Sequence, residues 1–215
     1  MLESRDLEFA YGQGTTHLSY PDIVLESQEQ LLVLGRSGSG KSTLLGLWSG
    51  LLSPSAGSVR IDEVLLNSLS GTARDRWRSR QVGLVFQQPR LLPTQSIRNN
   101  IHLQRKIAGL PPDHGTIELS LKRLGIDHVA DKLPLRCSLG EQQRAGILRA
   151  LVHAPKLILA DEPTSALDLE NALSVAKLLK DEAKRFGASL VIVTHDDRLQ
   201  RLFSRKLVLD SQVSA

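Results

Sequence analysis

One short run restricts the possible folds of this 215-residue chain more than any other part of the sequence. Two glycines with four residues between them are followed at once by lysine and then serine. The run, with the residue after it, comprises Gly35, Arg36, Ser37, Gly38, Ser39, Gly40, Lys41, Ser42 and Thr43. An aliphatic strand pattern, Gln30–Leu34, precedes it and a helical pattern follows it, so this context predicts a phosphate-binding loop between a strand and a helix.

The residue types in this loop match the chemistry of bound phosphate. Glycines let backbone N–H groups close around an anion, and the N-terminus of the following helix adds the positive end of its dipole. Lys41 can neutralise the outer phosphates, and the Ser42 hydroxyl can coordinate magnesium. We therefore expect phosphate groups and Mg²⁺ to bind together at this loop.

A second candidate site lies where the aliphatic run Leu157–Ala160 meets two acidic residues, Asp161 and Glu162. Ligands of open α/β sheets bind at the carboxyl edge of the strands, which is where this pair would lie. Asp161 is placed to hold magnesium, and Glu162 could take a proton from an attacking water or orient it. Acidic residues often end strands without further function, so the neighbouring phosphate loop is what favours a catalytic role here.

The whole chain shows the alternation of an α/β protein. Short aliphatic runs alternate with helical patterns, which predicts parallel strands joined by crossover helices. We predict parallel strands at Gln30–Leu34, Val82–Phe86, Leu157–Ala160, Ser189–Thr194 and Lys206–Leu209. We predict helices after Gly40 and at Thr72–Ser79, Gly140–Val152, Leu169–Phe186 and Asp197–Phe203.

Two regions depart from this alternation. Leu2–Phe9 and Asp22–Leu25 alternate apolar with polar residues, which predicts antiparallel strands on an exposed sheet, and Val59–Ile61 is expected to join them. The segment after Pro89 is rich in glycine and proline but keeps a helical apolar spacing, so it predicts an inserted helical lobe. We expect one domain over residues 1–215, with the helical part at roughly 89–150.

Composition limits the function classes. Aromatic residues make up only 4% of the chain, which leaves few rings for stacking on bases, so nucleic acid is not an expected partner. The only cysteine, Cys137, cannot form an internal disulfide, and a reducing compartment is expected. The first residues lack a secretion-signal layout, and no apolar run reaches the roughly 18–20 residues of a membrane span. A role at a membrane would require a partner that crosses it.

The surroundings of the two sites resemble the nucleotide-binding domain of ATP-binding-cassette proteins. Residues 161–168 are similar to the family's acidic motif and the loop after it, and residues 138–144 to its signature. Residues 85–87 resemble its glutamine loop and residues 193–196 its histidine switch. The motif order is preserved over nearly the whole chain. The resemblance implies a P-loop-type parallel sheet with an antiparallel β subdomain and an inserted helical subdomain, and it implies ATP and Mg²⁺ as ligands.

The resemblance also implies roles for single residues. Tyr11 would stack on adenine, although a tyrosine on an edge strand is the alternative interpretation. Gln87 would contact magnesium and the attacking water and sense the coupled transporter. His195 would bond the γ-phosphate of ATP and help to place Glu162.

Other residues are implied to act across a dimer. Ser138 and Gly140 would reach the γ-phosphate of ATP held by a second copy of the chain, and Asp168 would bridge the interface. The expected working unit is thus a head-to-tail homodimer with two ATP molecules. Leu139 departs from the family's signature, which has glycine at this position. Glycine permits close approach of the backbone to phosphate and tolerates positive φ, whereas leucine adds a side chain. We therefore expect weaker closure of the dimer or slower turnover.

Several segments look similar to bacterial ATPases of the lipoprotein-release and macrolide-export group, among them 50–57, 74–80 and 91–94. Those ATPases lie on the cytoplasmic face of the inner membrane and drive separate permease chains. Amino-acid importer ATPases share many of these features and remain an alternative. Cassette ATPases of cell division, or those that act on nucleic acid, are further alternatives, but the long coiled coil or second cassette of many nucleic-acid-acting members is missing here.

Overall fold

The computed structural model describes residues 1–12, 16–165, 167–209 and 213–214. Strands and helices alternate along most of the chain, and short 3₁₀ turns lie at Leu66–Ser68, Asp127–Val129, Pro134–Arg136 and Asp197–Leu202. In chain order the elements are β1 (Leu2–Tyr11), β2 (Thr16–Ser19), β3 (Ile23–Leu25), β4 (Gln30–Gly35), α1 (Lys41–Trp48), β5 (Ala56–Ile61), β6 (Val64–Leu65), α2 (Gly71–Gln81), β7 (Val82–Val85), α3 (Ile97–Ile107), α4 (His114–Arg123), α5 (Leu139–Leu151), β8 (Leu157–Asp161), α6 (Leu169–Phe186), β9 (Ser189–Thr194), β10 (Arg205–Leu209) and β11 (Val213–Ser214).

A five-stranded parallel sheet forms the centre of the fold, in the order β10-β4-β9-β8-β7. Every residue of β9 is buried, as expected for a strand covered on both faces. The register pairs Leu34 with Thr194 and Asp161 with Val193. The carboxyl ends of β4, β9 and β8 therefore lie side by side, and the phosphate loop and the acidic pair meet at one edge, as predicted.

The second sheet is antiparallel and packs on one side of α1. It runs β11-β2-β1-β5-β6, with β3 also paired to β1. Leu2 and Val59 of this sheet, Leu44 and Trp48 of α1, and Val193 of the parallel sheet belong to one hydrophobic core. Trp48 is fully buried there, so α1 is held between the two sheets. The phosphate loop is thus anchored by β4 at one end and by α1 at the other. On the opposite face of the parallel sheet, α5 and α6 form a second core.

A separate core lies in the helical region between β7 and β8. Ile97 and Ile101 of α3 pack with Ile117 and Leu121 of α4, and Leu148 of α5 completes the cluster. A turn of the chain is bound to α3 by a backbone hydrogen bond of 2.8 Å, from the Arg98 N–H to the Ala130 carbonyl. This cluster is the physical basis for treating residues 89–150 as a helical lobe.

The structure differs from the expected elements in detail. The predicted helix Asp197–Phe203 is a 3₁₀ helix that ends at Leu202, and the Asp196 side chain caps it. The predicted strand Val82–Phe86 ends at Val85. The strands β2 and β6 were not expected, because segments of two to four residues carry little periodicity. The helix α3 was not predicted separately, although its buried Ile97 and Ile101 have helical spacing and it lies in the expected helical lobe.

No helix in the described part of the chain combines the length and the apolar character that a membrane crossing requires. The longest helix, α6, has 18 residues and carries charged side chains along its length.

Candidate functional site

The phosphate loop depends on glycine at three positions. Gly38 and Gly40 have φ of 82° and 86°, in the left-handed region where a side chain is strained. A Cβ at Gly35 would lie 2.9 Å from the Leu209 carbonyl oxygen, and one at Gly40 would lie 2.8 Å from the Tyr20 hydroxyl. A Cβ at Gly38 would meet nothing within 4 Å. The loop is thus packed tightly at its ends and open at its centre, where an anion could approach the backbone.

Lys41 begins α1 and turns its side chain back into the loop. Its ammonium group donates to the carbonyl oxygens of Gly35 and Arg36, both at 2.9 Å, although the residue is only 6% exposed. It also lies 3.6 Å from Oε1 of Glu162. Because an ammonium group has three protons, two loop bonds leave one for a further acceptor. The cation is therefore held between the loop and the acidic pair.

Ser42 and Asp161 form the next pair. The Ser42 hydroxyl donates to Oδ1 of Asp161 at 3.0 Å, across the gap between α1 and the end of β8. Burial raises the pKa of Asp161, with a smaller opposing effect from Ser42. A hydroxyl and a carboxylate in contact are oxygen ligands of the kind that Mg²⁺ prefers, and a divalent cation would also offset the cost of burying the carboxylate. These residues fit a bound Mg²⁺.

Glu162 is held by an unusual backbone conformation and several hydrogen bonds. Its φ is 46°, uncommon for a residue with a side chain, and its N–H donates to the Val193 carbonyl at 2.9 Å. Oε2 accepts from the Thr194 hydroxyl at 2.9 Å and from the His195 N–H at 3.3 Å. Oε1 lies 2.9 Å from His195 Nδ1. Strained backbone of this kind persists where surrounding contacts over-determine it, often at functional sites.

These groups surround one cavity of about 850 Å³. Its walls consist of loop residues, acidic-site residues and two residues from the antiparallel sheet, namely Tyr11, Leu18, Arg36, Ser37, Gly38, Gly40, Lys41, Ser42, Thr43, Gln87, Glu162, Ser165 and His195. The residues predicted to act in one chain therefore lie together. Gly35, Ser39 and Asp161 do not line the cavity but are the chain neighbours of residues that do. Tyr11 is 49% exposed, and its hydroxyl is hydrogen-bonded to the Thr43 hydroxyl.

The three residues predicted to act across a dimer do not line this cavity. Ser138 caps α5, where its hydroxyl accepts from the Glu141 N–H at 3.3 Å. Gly140 is the second residue of that helix. Asp168 caps α6 and accepts from the Asn171 N–H at 2.9 Å. Within one chain these residues are helix caps and helix starts outside the cavity, and their contact with nucleotide held by another copy stays a prediction.

The structure corrects the expectation that position 139 needs the backbone freedom of glycine. It is the first residue of α5, 52% exposed, and it does not need the positive φ for which glycine was considered. The backbone therefore accommodates a leucine, and any effect of this residue on dimer closure or turnover has to come from its side chain.

Some functional neighbours were not expected from the sequence. The Thr194 hydroxyl binds Glu162, and its place at the end of a buried strand beside His195 could have indicated this. Gln143 of α5 donates to the Pro163 carbonyl at 3.1 Å and so ties the helical lobe to the loop after Glu162. Arg198 binds Asp196 through two bonds of 2.7 Å and lowers the pKa of that carboxyl. No sequence signal would have found the last two contacts.

Comparisons with known proteins agree with this geometry. The chain is 36% identical over 201 residues to the lipoprotein-releasing system ATP-binding protein LolD of Shewanella frigidimarina, covering 92% of this chain and 84% of that protein. It is also 36% identical over 213 residues to the methionine import ATP-binding protein MetN of Brucella abortus, covering 98% of this chain and 57% of that protein.

Among solved structures, the dimeric ATP-binding cassette MJ0796 in a post-hydrolysis state bound to ADP and Pi superposes with a TM-score of 0.87. That likeness covers 98% of this chain and 95% of the other at 30% identity. The family described as ABC transporter matches residues 19–165, which include the phosphate loop and the acidic pair. The chain belongs to the ABC transporter family and is one of its ATP-hydrolysing, ATP-binding subunits.

Proposed function

We propose that this chain powers a lipoprotein-releasing type of transport complex, in which two copies close on two ATP molecules and drive a separate membrane permease. The observation that carries the proposal is the cavity lined by the phosphate loop and Glu162, with Asp161 bonded to Ser42 of its wall, in a chain whose described helices include no membrane span. The similarity to LolD over 84% of its length supports the lipoprotein-releasing type.

The phosphates of ATP would lie over the open centre of the loop, where the backbone at Gly38 is accessible. Lys41 has a donor available for them, and the start of α1 adds its positive dipole end. Ser42, Asp161 and Gln87 would hold Mg²⁺, which when bound offsets the charge on the phosphates. Tyr11 would cover the adenine ring from the exposed edge of the cavity.

Glu162 is proposed to orient the attacking water and accept its proton. His195 can fix the carboxylate by donating from Nδ1 to Oε1 of Glu162, and a doubly protonated ring would also donate from Nε2 to the γ-phosphate. Thr194 holds the other carboxylate oxygen, so the base cannot rotate freely. Preorganisation of this kind lowers the barrier by avoiding reorientation during the reaction.

The permease would dock beside the cavity. A groove of about 480 Å³ lies between α2 and α3, and Phe86, next to Gln87, is part of its lining. On its α3 side Leu103 and Ile107 are exposed, 36% and 57% respectively. An apolar groove with polar rims suits a short helix of a partner protein. The chain would thus lie on the cytoplasmic face of the inner membrane, attached through the permease.

An importer subunit is the second candidate, because MetN is as similar in sequence as LolD. The chain spans 57% of MetN and 84% of LolD.

Affinity purification of the tagged chain from detergent-solubilised membranes of its native host tests the proposal. We expect a membrane-spanning permease with a large external domain to co-purify, as identified by mass spectrometry. The variant Ile107→Asp should lose this partner, while Leu119→Asp, at a 69% exposed position on α4 outside the groove, should retain it. Recovery of nucleic acid without any membrane protein would contradict the proposal.

A further inference from the structure

Three residues of the helical lobe form a chain of hydrogen bonds that ends at the proposed dimer contact. Nε2 of His128 lies 2.8 Å from Oε1 of Glu141. Oε2 of Glu141 accepts from the Ser138 N–H at 2.6 Å and from the Ser138 hydroxyl at 2.8 Å. The two carboxylate oxygens are therefore divided between the histidine and the serine.

The lobe core fixes the position of His128. The residue lies in the 3₁₀ turn Asp127–Val129, and both Ile126 and Val129 are buried, at 0% and 2% exposed. The imidazole is 59% exposed, whereas the Glu141 carboxylate is only 17% exposed. A rigid backbone thus presents an accessible ring to a partly covered carboxylate.

The direction of each bond follows from charge. Hydrogen bonds from the Ser138 N–H, from its hydroxyl and from His128 lower the pKa of Glu141 to about 2, so the carboxylate is ionised at neutral pH. An ionised carboxylate can only accept, so Nε2 of His128 carries the proton of that bond. The hydroxyl proton of Ser138 likewise faces Glu141.

These contacts set the start of α5. With Ser138 and Glu141 fixed as a capping box, the N–H groups of Leu139 and Gly140 are the first-turn donors with no partner within the helix. Their orientation depends on how firmly the cap is held. If Glu141 could rotate, the first turn of α5 would lose one of its two reciprocal bonds.

We propose that His128 is a positioning residue that acts through Glu141 to hold the cap at Ser138, so that the first-turn N–H groups of α5 are ready for ATP bound by a second copy of the chain. The inference rests on the proposed function, because it assumes that the start of α5 acts across the dimer. His128 itself touches neither nucleotide nor the reacting atoms.

ATP-dependent pairing of the Glu162→Gln protein, followed by analytical ultracentrifugation, tests this inference. His128→Ala should raise the ATP concentration for half-maximal pairing about five- to tenfold, the size expected for one exposed hydrogen bond of ordinary net strength. His128→Gln, which keeps an N–H donor, should restore most of the loss. His114→Ala removes an exposed histidine elsewhere in the lobe and should change nothing, and ATP affinity of the monomer should stay the same in all three variants.

A double-mutant cycle separates positioning from general structural damage. In a Glu141→Ala background, His128→Ala should have no further effect on pairing, since the residue would have nothing to hold. An additive loss, or equal pairing with and without His128, would overturn this inference but leave the proposed function standing. If the Glu162→Gln protein stayed monomeric at saturating ATP, the paired unit of the proposed function would fail and this inference with it.

Discussion

At the scale of single residues, Glu162 is held by more contacts than the other proposed catalytic residues. Its backbone is held at positive φ, its carboxylate is bound by Thr194 and His195, and Lys41 lies 3.6 Å away. A carboxylate fixed on so many sides is suited to orient water, whereas a purely structural acid would need fewer partners. The proposed role of general base can be tested with glutamine, which has nearly the same shape and keeps one acceptor oxygen but cannot take a proton.

We predict that Glu162→Gln slows ATP hydrolysis about 100- to 1,000-fold while ATP binding is retained, because proton acceptance is lost but the hydrogen-bonding shape remains. Phosphate release over time, together with ATP titration, measures both quantities. Glu63→Gln, at an exposed position in the turn between β5 and β6, is the matched control and should hydrolyse ATP at the normal rate. Normal turnover by Glu162→Gln would remove this residue from the role of base.

Leu139 is the other informative residue. Since its backbone is helical, only its half-exposed side chain can obstruct the approach of a second copy. We predict that Leu139→Gly lowers the ATP concentration needed for pairing and raises the ATPase rate. Leu135→Gly, at a position 84% exposed in a nearby 3₁₀ turn, controls for general loss of apolar surface. Unchanged rate and pairing in Leu139→Gly would contradict the predicted obstruction.

At the scale of elements, the aliphatic runs predicted the parallel strands well, since burial on both faces leaves few other sequences possible. The loop and the acidic pair were likewise predictable, because strands β4 and β8 end where these motifs begin. Other contacts have no local signal. The bond from Gln143 to Pro163 joins residues 20 apart on different elements, and the cap at Asp168 depends on where α6 begins.

His153 links two of these elements and predicts a pH effect. It lies just after α5, 6% exposed, with Nε2 3.2 Å from the Val82 carbonyl that begins β7. Burial lowers the pKa of its imidazole from 6.5 to about 4. Between those values the unfolded chain binds a proton that the folded chain does not, so the free energy of unfolding falls as pH falls through this range.

We predict that His153→Gln, which keeps an N–H donor but cannot be protonated, reduces the loss of stability between pH 7 and pH 4 by roughly 2–3 kcal/mol. Urea unfolding at several pH values measures the difference between the variant and the natural chain. His17→Gln, at an exposed position, should leave the pH dependence unchanged. Parallel curves for His153→Gln and the natural chain would show that this histidine does not titrate on unfolding.

At the scale of the whole molecule, the described chain contains one wall of a nucleotide site and, on separate helices, the residues proposed to close a second site. The phosphate loop and Glu162 line one cavity, whereas Ser138 and Asp168 lie at helix starts outside its lining. The proposed homodimer would use both surfaces, because each copy would supply one of them to the other.

The most direct test of the account is equilibrium binding of ATP to the purified chain with and without Mg²⁺, by isothermal titration calorimetry. We predict saturable binding of one ATP per chain that weakens when Mg²⁺ is removed. Lys41→Ala should abolish measurable affinity, because it removes the only side-chain cation held inside the loop by its carbonyls in the described structure. If the natural chain had no affinity for ATP with Mg²⁺, even with its membrane partner present, the central claim would be wrong.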